Sequence, residues 1–299
     1  MIKDFKKLIK MAKGSPRRKL VVAGAGEEET LRAVKKAFEQ KMIEPFLVGN
    51  SQCIFGLAES IGWNTDDIVT VDEADFREIC KQAVTMVSSG EADILMKGGV
   101  PTPLLMKEVL DRKIGLRADS IISHLALVES SHLQRLLIIT DGGMNIKPDL
   151  QDLKDIIQNA INIAGRLGYK NPKVAILTAG EKVNPDIPET ITAAALTKMA
   201  DRGQIQGGIV DGPLALDNAL SPAAAARKNI GGPVAGKADI LVVPDLISGN
   251  LLGKSAVHLA GDRFAGLMGG TSKPVIVASR ASEADIKYIS IAAAVLMEG

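Results

Sequence analysis

The chain has 299 residues, 46% of them hydrophobic, enough for a substantial core and, at ordinary domain sizes, for two domains. Charged residues make up 24% and nearly cancel to a formal +1, while aromatics are only 3%. That balance excludes the basic, base-stacking footprint of a nucleic-acid binder and leaves a small molecule as the default ligand.

The opening segment as far as Ala12 places Phe5, Leu8, Ile9 and Ala12 on one helical face, and Gly14-Ser15-Pro16 then turns the chain into an apolar run over 20–23. Further strand-like runs follow at 45–48, 94–96, 121–127, 136–140, 174–178, 208–210, 240–243 and 275–278. Helices are predicted over 149–167, where Pro148-Asp149 supplies a start signal, over 188–201, where Pro188 and Glu189 suit a first turn, and over the short alanine run 223–226. The alternation predicts an α/β fold of βαβ units around mostly parallel sheet, with any two domains joined closely. Cys53 and Cys80 are too few for a disulfide framework or zinc site and read as buried apolar residues in a reducing compartment. With no run near the roughly 20 apolar residues of a membrane span and no signal-peptide core, the expectation is a soluble cytoplasmic protein.

Ligands of open α/β sheets bind outside the carboxyl ends of the strands, so polar strand exits are the places to look for chemistry. Gly24-Ala25-Gly26 lacks a third glycine and runs into Glu27-Glu28-Glu29, which suit a helix dipole but repel a pyrophosphate; a capped structural helix is the expectation. Met96-Lys97-Gly98-Gly99-Val100-Pro101-Thr102 offers an ammonium, backbone N–H groups and a hydroxyl to an anion, with Lys107 placed to face the same spot, although an ordinary glycine-rich exit with a Thr cap also fits. Asp141-Gly142-Gly143-Met144-Asn145 and Asp211-Gly212-Pro213 follow two more strands; the first is better explained by a tight turn that needs no ligand, and the second is explained nearly as well by turn chemistry as by a functional carboxylate. Another run ends in Pro244-Asp245, and the last stops on Ser279-Arg280 with Ser282, Glu283 and Asp285 just beyond. A guanidinium directly after a buried run is costly unless it meets an anion or a carboxylate, and a salt bridge from Arg280 to Asp285 or Glu283 is the structural alternative. His124, His132 and His258 have no metal-ligand spacing and are expected to be exposed or hydrogen-bonded; no Gly-x-Ser-x-Gly elbow is present.

Taken together, the tracts 96–102, Asp141-Gly142, 210–215, 243–250 through Lys254, and 274–280 resemble the phosphate acetyltransferase and phosphate butyryltransferase family, in the family's order and more weakly before Ala92. The resemblance implies a reversible reaction without metal or other cofactor, acyl-CoA plus inorganic phosphate giving acyl phosphate plus CoA, with coenzyme A as substrate. It implies two α/β domains with mostly parallel sheets and helices on both faces, an isocitrate/isopropylmalate dehydrogenase-like architecture with the active site in a cleft. Domain I would be 1–126 with 267–299, and domain II the insert 127–266. Carried over residue by residue, Ser279, Arg280 and Asp285 would be catalytic, with Glu283 as the substitute carboxylate because Asp285 fits only with a one-residue gap. Lys97, Gly98, Gly99, Thr102, Lys107, Asp141, Asp245, Gly249, Asn250 and Lys254 would bind substrate. Lys97-Gly98-Gly99 with Thr102, the 211–215 run and the ending Ser290-Ile291-Ala292-Ala293 look butyryl-like, whereas Ile247-Ser248 and Gly142-Gly143 depart from the usual residues and leave acetyl as the alternative. A homo-oligomer is implied, with no nucleic-acid or membrane partner. Rival readings are a metal- and NAD-dependent decarboxylating dehydrogenase, for which the aspartates are too scattered, and a non-catalytic sensor of CoA or acyl phosphate.

Overall fold

The computed structural model describes residues 2–278 and 282–298. By its contacts the chain divides into two compact units, a discontinuous one of Phe5–Asp119 with Ala265–Gly299 and an inserted one of Ser120–Phe264 with Met1–Asp4. The sequence reading puts the boundaries at 126/127 and 266/267, the contacts at 119/120 and 264/265.

The discontinuous unit opens with α1 (Phe5–Lys13), β1 (Arg18–Ala23), α2 (Glu28–Glu39), β2 (Ile43–Gly49), α3 (Ser51–Ser60), β3 (Val69–Asp72), α4 (Phe76–Ser88), β4 (Ile94–Lys97) and α5 (Thr102–Val109). The insert carries β5 (Ser123–Ser130), β6 (Arg135–Thr140), α6 (Leu150–Arg166), β7 (Lys173–Leu177), α7 (Pro188–Asp201), β8 (Ile209–Leu214), α8 (Leu216–Leu220), α9 (Pro222–Arg227), β9 (Ile240–Val242) and α10 (Leu246–His258). The chain returns through β10 (Arg263–Gly269), β11 (Val275–Ile276) and α11 (Ala284–Met297).

In the discontinuous unit the strands run β3-β2-β1-β4-β11-β10, parallel except for the β10/β11 pair. In the insert the order is β5-β6-β9-β7-β8, parallel except for β5/β6. Helix starts follow local chemistry: Asp75 caps α4 by accepting from the Arg77 and Glu78 N–H groups, and Asp149 and Asp152 form a reciprocal capping box at α6. In α1 the buried residues Phe5, Leu8 and Ala12 form one stripe, whereas α11 is buried nearly all round, as its run of Ile, Ala, Val and Leu requires. The core of the insert gathers Ile139, Ala175, Leu214, Leu241 and Val243 from four of its strands and the β9 exit.

Three strand assignments differ from expectation. β3 is half-exposed at a sheet edge and too short and mixed to give a run, and β10 is diluted by Gly266 and Gly269. Asp211-Gly212-Pro213, expected to turn, lies within β8, an edge strand where proline costs no ladder bond; β8 carries one extra residue against β7, the signature of a bulge.

Candidate active site

In the discontinuous unit β1 and β4 pair in parallel with Ala23 beside Lys97, so both strands leave the sheet together. The Gly98 N–H donates to Ala23 O at 2.9 Å and the Gly99 N–H to Gly24 O at 2.7 Å. A Cβ on Gly98 would stand 2.2 Å from the Gly24 carbonyl oxygen, so only glycine permits this crossing of the two exits. The N–H groups expected to cradle an anion are thus given to the last residue of β1 and the glycine after it. Lys97 is buried, and its ammonium turns back on its own loop, donating to Gly98 O at 2.9 Å and Val100 O at 3.3 Å. Thr102 opens α5, whose cap position is Pro101 and which no side chain caps. Lys107 lies exposed in the last turn of α5, about 140° around the helix from Thr102, so the structure does not bring the two together.

β11 runs parallel to β4 with Ile276 beside Met96, so the chain leaves β11 on the Lys97 edge. Ser279 and Arg280 lie outside the described residues. Asp285 sits in the first turn of α11 and pairs with Lys36 at 3.0 Å, both side chains about half exposed, while the Lys36 ammonium rests 4.2 Å from the Tyr288 ring centroid. Burial, helped by the Asp285 charge, raises the Tyr288 phenol above its ordinary value. Glu283, the substitute carboxylate, is the exposed cap residue and makes no capping bond.

The acidic triplet has a role that its sequence position hides. Glu29 accepts the Ala284 N–H at 2.7 Å and so caps α11 from another helix. Lys287, 1% exposed, pairs with Glu27 at 3.0 Å and donates to the Thr30 hydroxyl at 3.2 Å, and Thr30 donates to Glu27 at 2.6 Å. Only Glu28 behaves as a surface residue, pairing with Arg32 one turn on. A buried ammonium is thereby matched by a carboxylate and a hydroxyl, and the start of α11 is fastened to the start of α2.

In the inserted unit the polar exits of β6 and β9 converge. Asp141 is buried, and its carboxylate accepts from the N–H groups of Gly143 (2.8 Å), Met144 (3.0 Å) and Asn145 (3.2 Å) and from Asn145 Nδ2 (2.6 Å). It clamps its own loop. A Cβ on Gly142 would lie 2.6 Å from the carbonyl carbon of Gly249, the buried residue of α10, so two glycines let the β6 exit touch the first turn of that helix. Asp245 caps α10 by accepting the Ser248 N–H at 2.7 Å, and Asn250 Nδ2 reaches Gly142 O at 3.4 Å. Asp141, Asp245, Gly249 and Asn250 are therefore gathered, whereas Lys254 projects from the exposed surface of α10, without an ion pair among the described residues.

His124, expected to be exposed or hydrogen-bonded, is half-buried. Its ring packs under Gly143, where a Cβ would lie 2.8 Å from Cγ, and its Nδ1 is buried without a hydrogen-bond partner among the described residues. Burial holds its pKa below the usual imidazole value, with Asp141 partly opposing. No sequence signal marks this placement, which comes from the antiparallel pairing of β5 with β6, Ala126 standing beside Ile139.

A family model described as phosphate acetyl/butaryl transferase matches residues 69–295. The phosphate butyryltransferase of Clostridium acetobutylicum is 41% identical over 299 residues, 100% of this chain and 99% of that protein. The phosphate acetyltransferase of Thermotoga maritima is 41% identical over 290 residues, 96% of this chain and 97% of that protein. Among solved structures, a branched-chain phosphotransacylase from Enterococcus faecalis V583 is 32% identical and aligns with a TM-score of 0.82, covering 94% of this chain and 99% of its own. With its strand exits ordered as described and the family model spanning every one of them from β4 to α11, the chain belongs to the phosphate acetyl/butaryl transferase family.

Proposed function

We infer that this protein is a phosphate acyltransferase that converts a short-chain acyl-CoA and inorganic phosphate to an acyl phosphate and free CoA. The observation that carries this reading is that the family match, 69–295, contains every residue to which the resemblance assigns a role, from Lys97 to Asp285. A phosphate oxygen attacks the thioester carbonyl and forms the new C–O bond. The tetrahedral oxyanion then collapses, the C–S bond breaks, and the proton brought by hydrogen phosphate ends on the CoA sulfur. In the reverse direction Asp285 accepts the thiol proton, since the thiolate is the nucleophile. Arg280 holds the acyl phosphate with its planar fork, and Ser279 hydrogen-bonds the tetrahedral intermediate or the thiol. With the Gly98 and Gly99 N–H groups given to Ala23 and Gly24, phosphate binding at that loop falls to the Lys97 charge and the Thr102 hydroxyl. Asp141 acts by shaping its loop, and Asp245, Gly249, Asn250 and Lys254 contribute from the start of α10.

Butyryl is the proposed acyl group, on the strength of the Lys97-Gly98-Gly99 and Asp211-Gly212-Pro213 tracts; the named relatives at 41% identity include both butyryl and acetyl enzymes. Coenzyme A is a substrate and no further cofactor is proposed. The proposal carries the isocitrate/isopropylmalate dehydrogenase-like arrangement and substrate cleft expected from the sequence. It also carries a homo-oligomer, supported by Ile247 and Leu251, which lie 65% and 62% exposed on α10. Thiol release from acetyl-, propionyl-, butyryl- and isobutyryl-CoA, each with and without phosphate, tests the reading. Phosphate-dependent release fastest with butyryl-CoA is expected; release indifferent to phosphate, or none, refutes it.

A further inference from the structure

His124 has no part in the reaction outlined above, yet its environment is unusual. It lies at the start of β5, which pairs antiparallel with β6 so that Ala126 stands beside Ile139. That register carries His124 to the edge where β6 ends in Thr140 and Asp141, and the Thr140 hydroxyl donates to the His124 carbonyl at 2.9 Å. The same edge is the carboxyl end of the parallel β6/β9 pair, where α/β sheets receive ligands. The imidazole has two nitrogens to satisfy. Nδ1 is buried against Gly143, where a Cβ would come within 3.1 Å of it, and it has no partner among the described residues. Asp141, the adjacent carboxylate, is already engaged by four donors of its own loop. A sealed N–H without an acceptor is rarer and costlier than an unmet lone pair, so the proton of the neutral ring belongs on Nε2. His124 is half-buried, and of its two ring nitrogens only Nδ1 is both sealed and unpartnered among the described residues, which leaves Nε2 as the donor to consider.

We propose that His124 presents a neutral Nε2–H donor to the carbonyl oxygen of the acyl substrate and stabilises the oxyanion of the tetrahedral intermediate. The proposal rests on the phosphate acyltransferase reading. No proton is transferred: the hydrogen bond strengthens as charge builds on oxygen and relaxes when the carbonyl reforms, with the C–S bond breaking in one direction and the C–O bond to phosphate in the other. A neutral donor suits this site better than an imidazolium, which would protonate the attacking phosphate or thiolate.

The test compares His124→Gln with His124→Asn. The side-chain amide nitrogen of Gln reaches near the Nε2 position and that of Asn near Nδ1, so only Gln restores the proposed donor. Steady-state kcat and KM for butyryl-CoA with phosphate are measured beside the melting temperature of each variant. The expected result is a kcat about 10²-fold below wild type for Asn with little change in KM, and a kcat within about 10-fold of wild type for Gln, the loss being that of a single oxyanion donor. Equal kcat values for the two variants, near wild type or falling together with melting temperature, overturn the proposal and leave His124 a packing residue. Absence of phosphate-dependent thiol release in the wild type would instead sink the acyltransferase reading, and this proposal with it.

Discussion

Replacing Lys287 with Met removes a buried ammonium while keeping an unbranched stem of similar length, so the change isolates the charge. The Lys287 side chain is 2% exposed and its partner Glu27 20% exposed, 3.0 Å apart. Removing one member of a buried pair strands the other and costs about 3–5 kcal/mol. Glu27 keeps its 2.6 Å bond from Thr30 and a little solvent, which places the loss at the lower end, about 3 kcal/mol. For a unit of this size that is a fall in melting temperature of roughly 6–12 °C. Thermal denaturation followed by circular dichroism should show it for Lys287→Met, and the double change with Glu27→Gln, which removes the stranded charge, should recover most of it. A single variant within about 1 °C of wild type, or a double variant no better than the single, would refute the reasoning.

Asp285→Asn gives up a half-exposed pair with Lys36 worth less than about 1 kcal/mol, while turnover falls about 10²–10⁴-fold if Asp285 accepts the thiol proton; matched urea titrations and steady-state rates separate loss of stability from loss of chemistry, and unchanged turnover removes Asp285 from the mechanism. Gly98→Ala drives a Cβ to 2.2 Å from a backbone oxygen, so it should give an insoluble or grossly destabilised protein, and a variant that melts like wild type contradicts the described crossing of the β1 and β4 exits. The folded state holds His124 below its ordinary 6.5, so the unfolded chain binds more protons between the two values; stability then rises with pH across that interval and declines as pH drops below about 6.5. Melting curves from pH 7.5 to 5 should therefore fall more steeply for wild type than for His124→Gln, and parallel curves count against a buried neutral imidazole.

The strands that were legible in the sequence are those whose residues are buried without interruption, such as 20–23, 94–96 and 240–243, because a continuous apolar run bounded by turn residues has few other readings. α7 begins and ends where Pro188 and Asp201 suggest, and α6 sits within its predicted range with Asp149 as cap. β3 and β10 were not legible, one being half-exposed and the other glycine-rich, since both are held by their neighbours in the sheet rather than by their own pattern. At the candidate site the polar strand exits could be located, but not what each group does there. Gly98 and Gly99 look like an anion loop in isolation, and only the proximity of Gly24 turns their N–H groups inward. Glu27 and Glu29 suggest dipole chemistry because their partners lie more than 250 residues away. The unmet nitrogen of His124 is a property of what surrounds it, which no local window contains.

The cap that Glu29 places on Ala284 bears on how the protein is made. The two residues are 255 apart in the chain, and α11 supplies the cover for the apolar faces of α1 and α2. During synthesis residues 5–119 must therefore wait, with those faces bare, while the rest of the insert emerges. The insert has its own core and, apart from residues 2–4, is continuous in sequence, so it can fold first. The discontinuous unit closes last, when α11 arrives, which makes the α1 and α2 faces the points where a chaperone would bind or a truncated chain would aggregate.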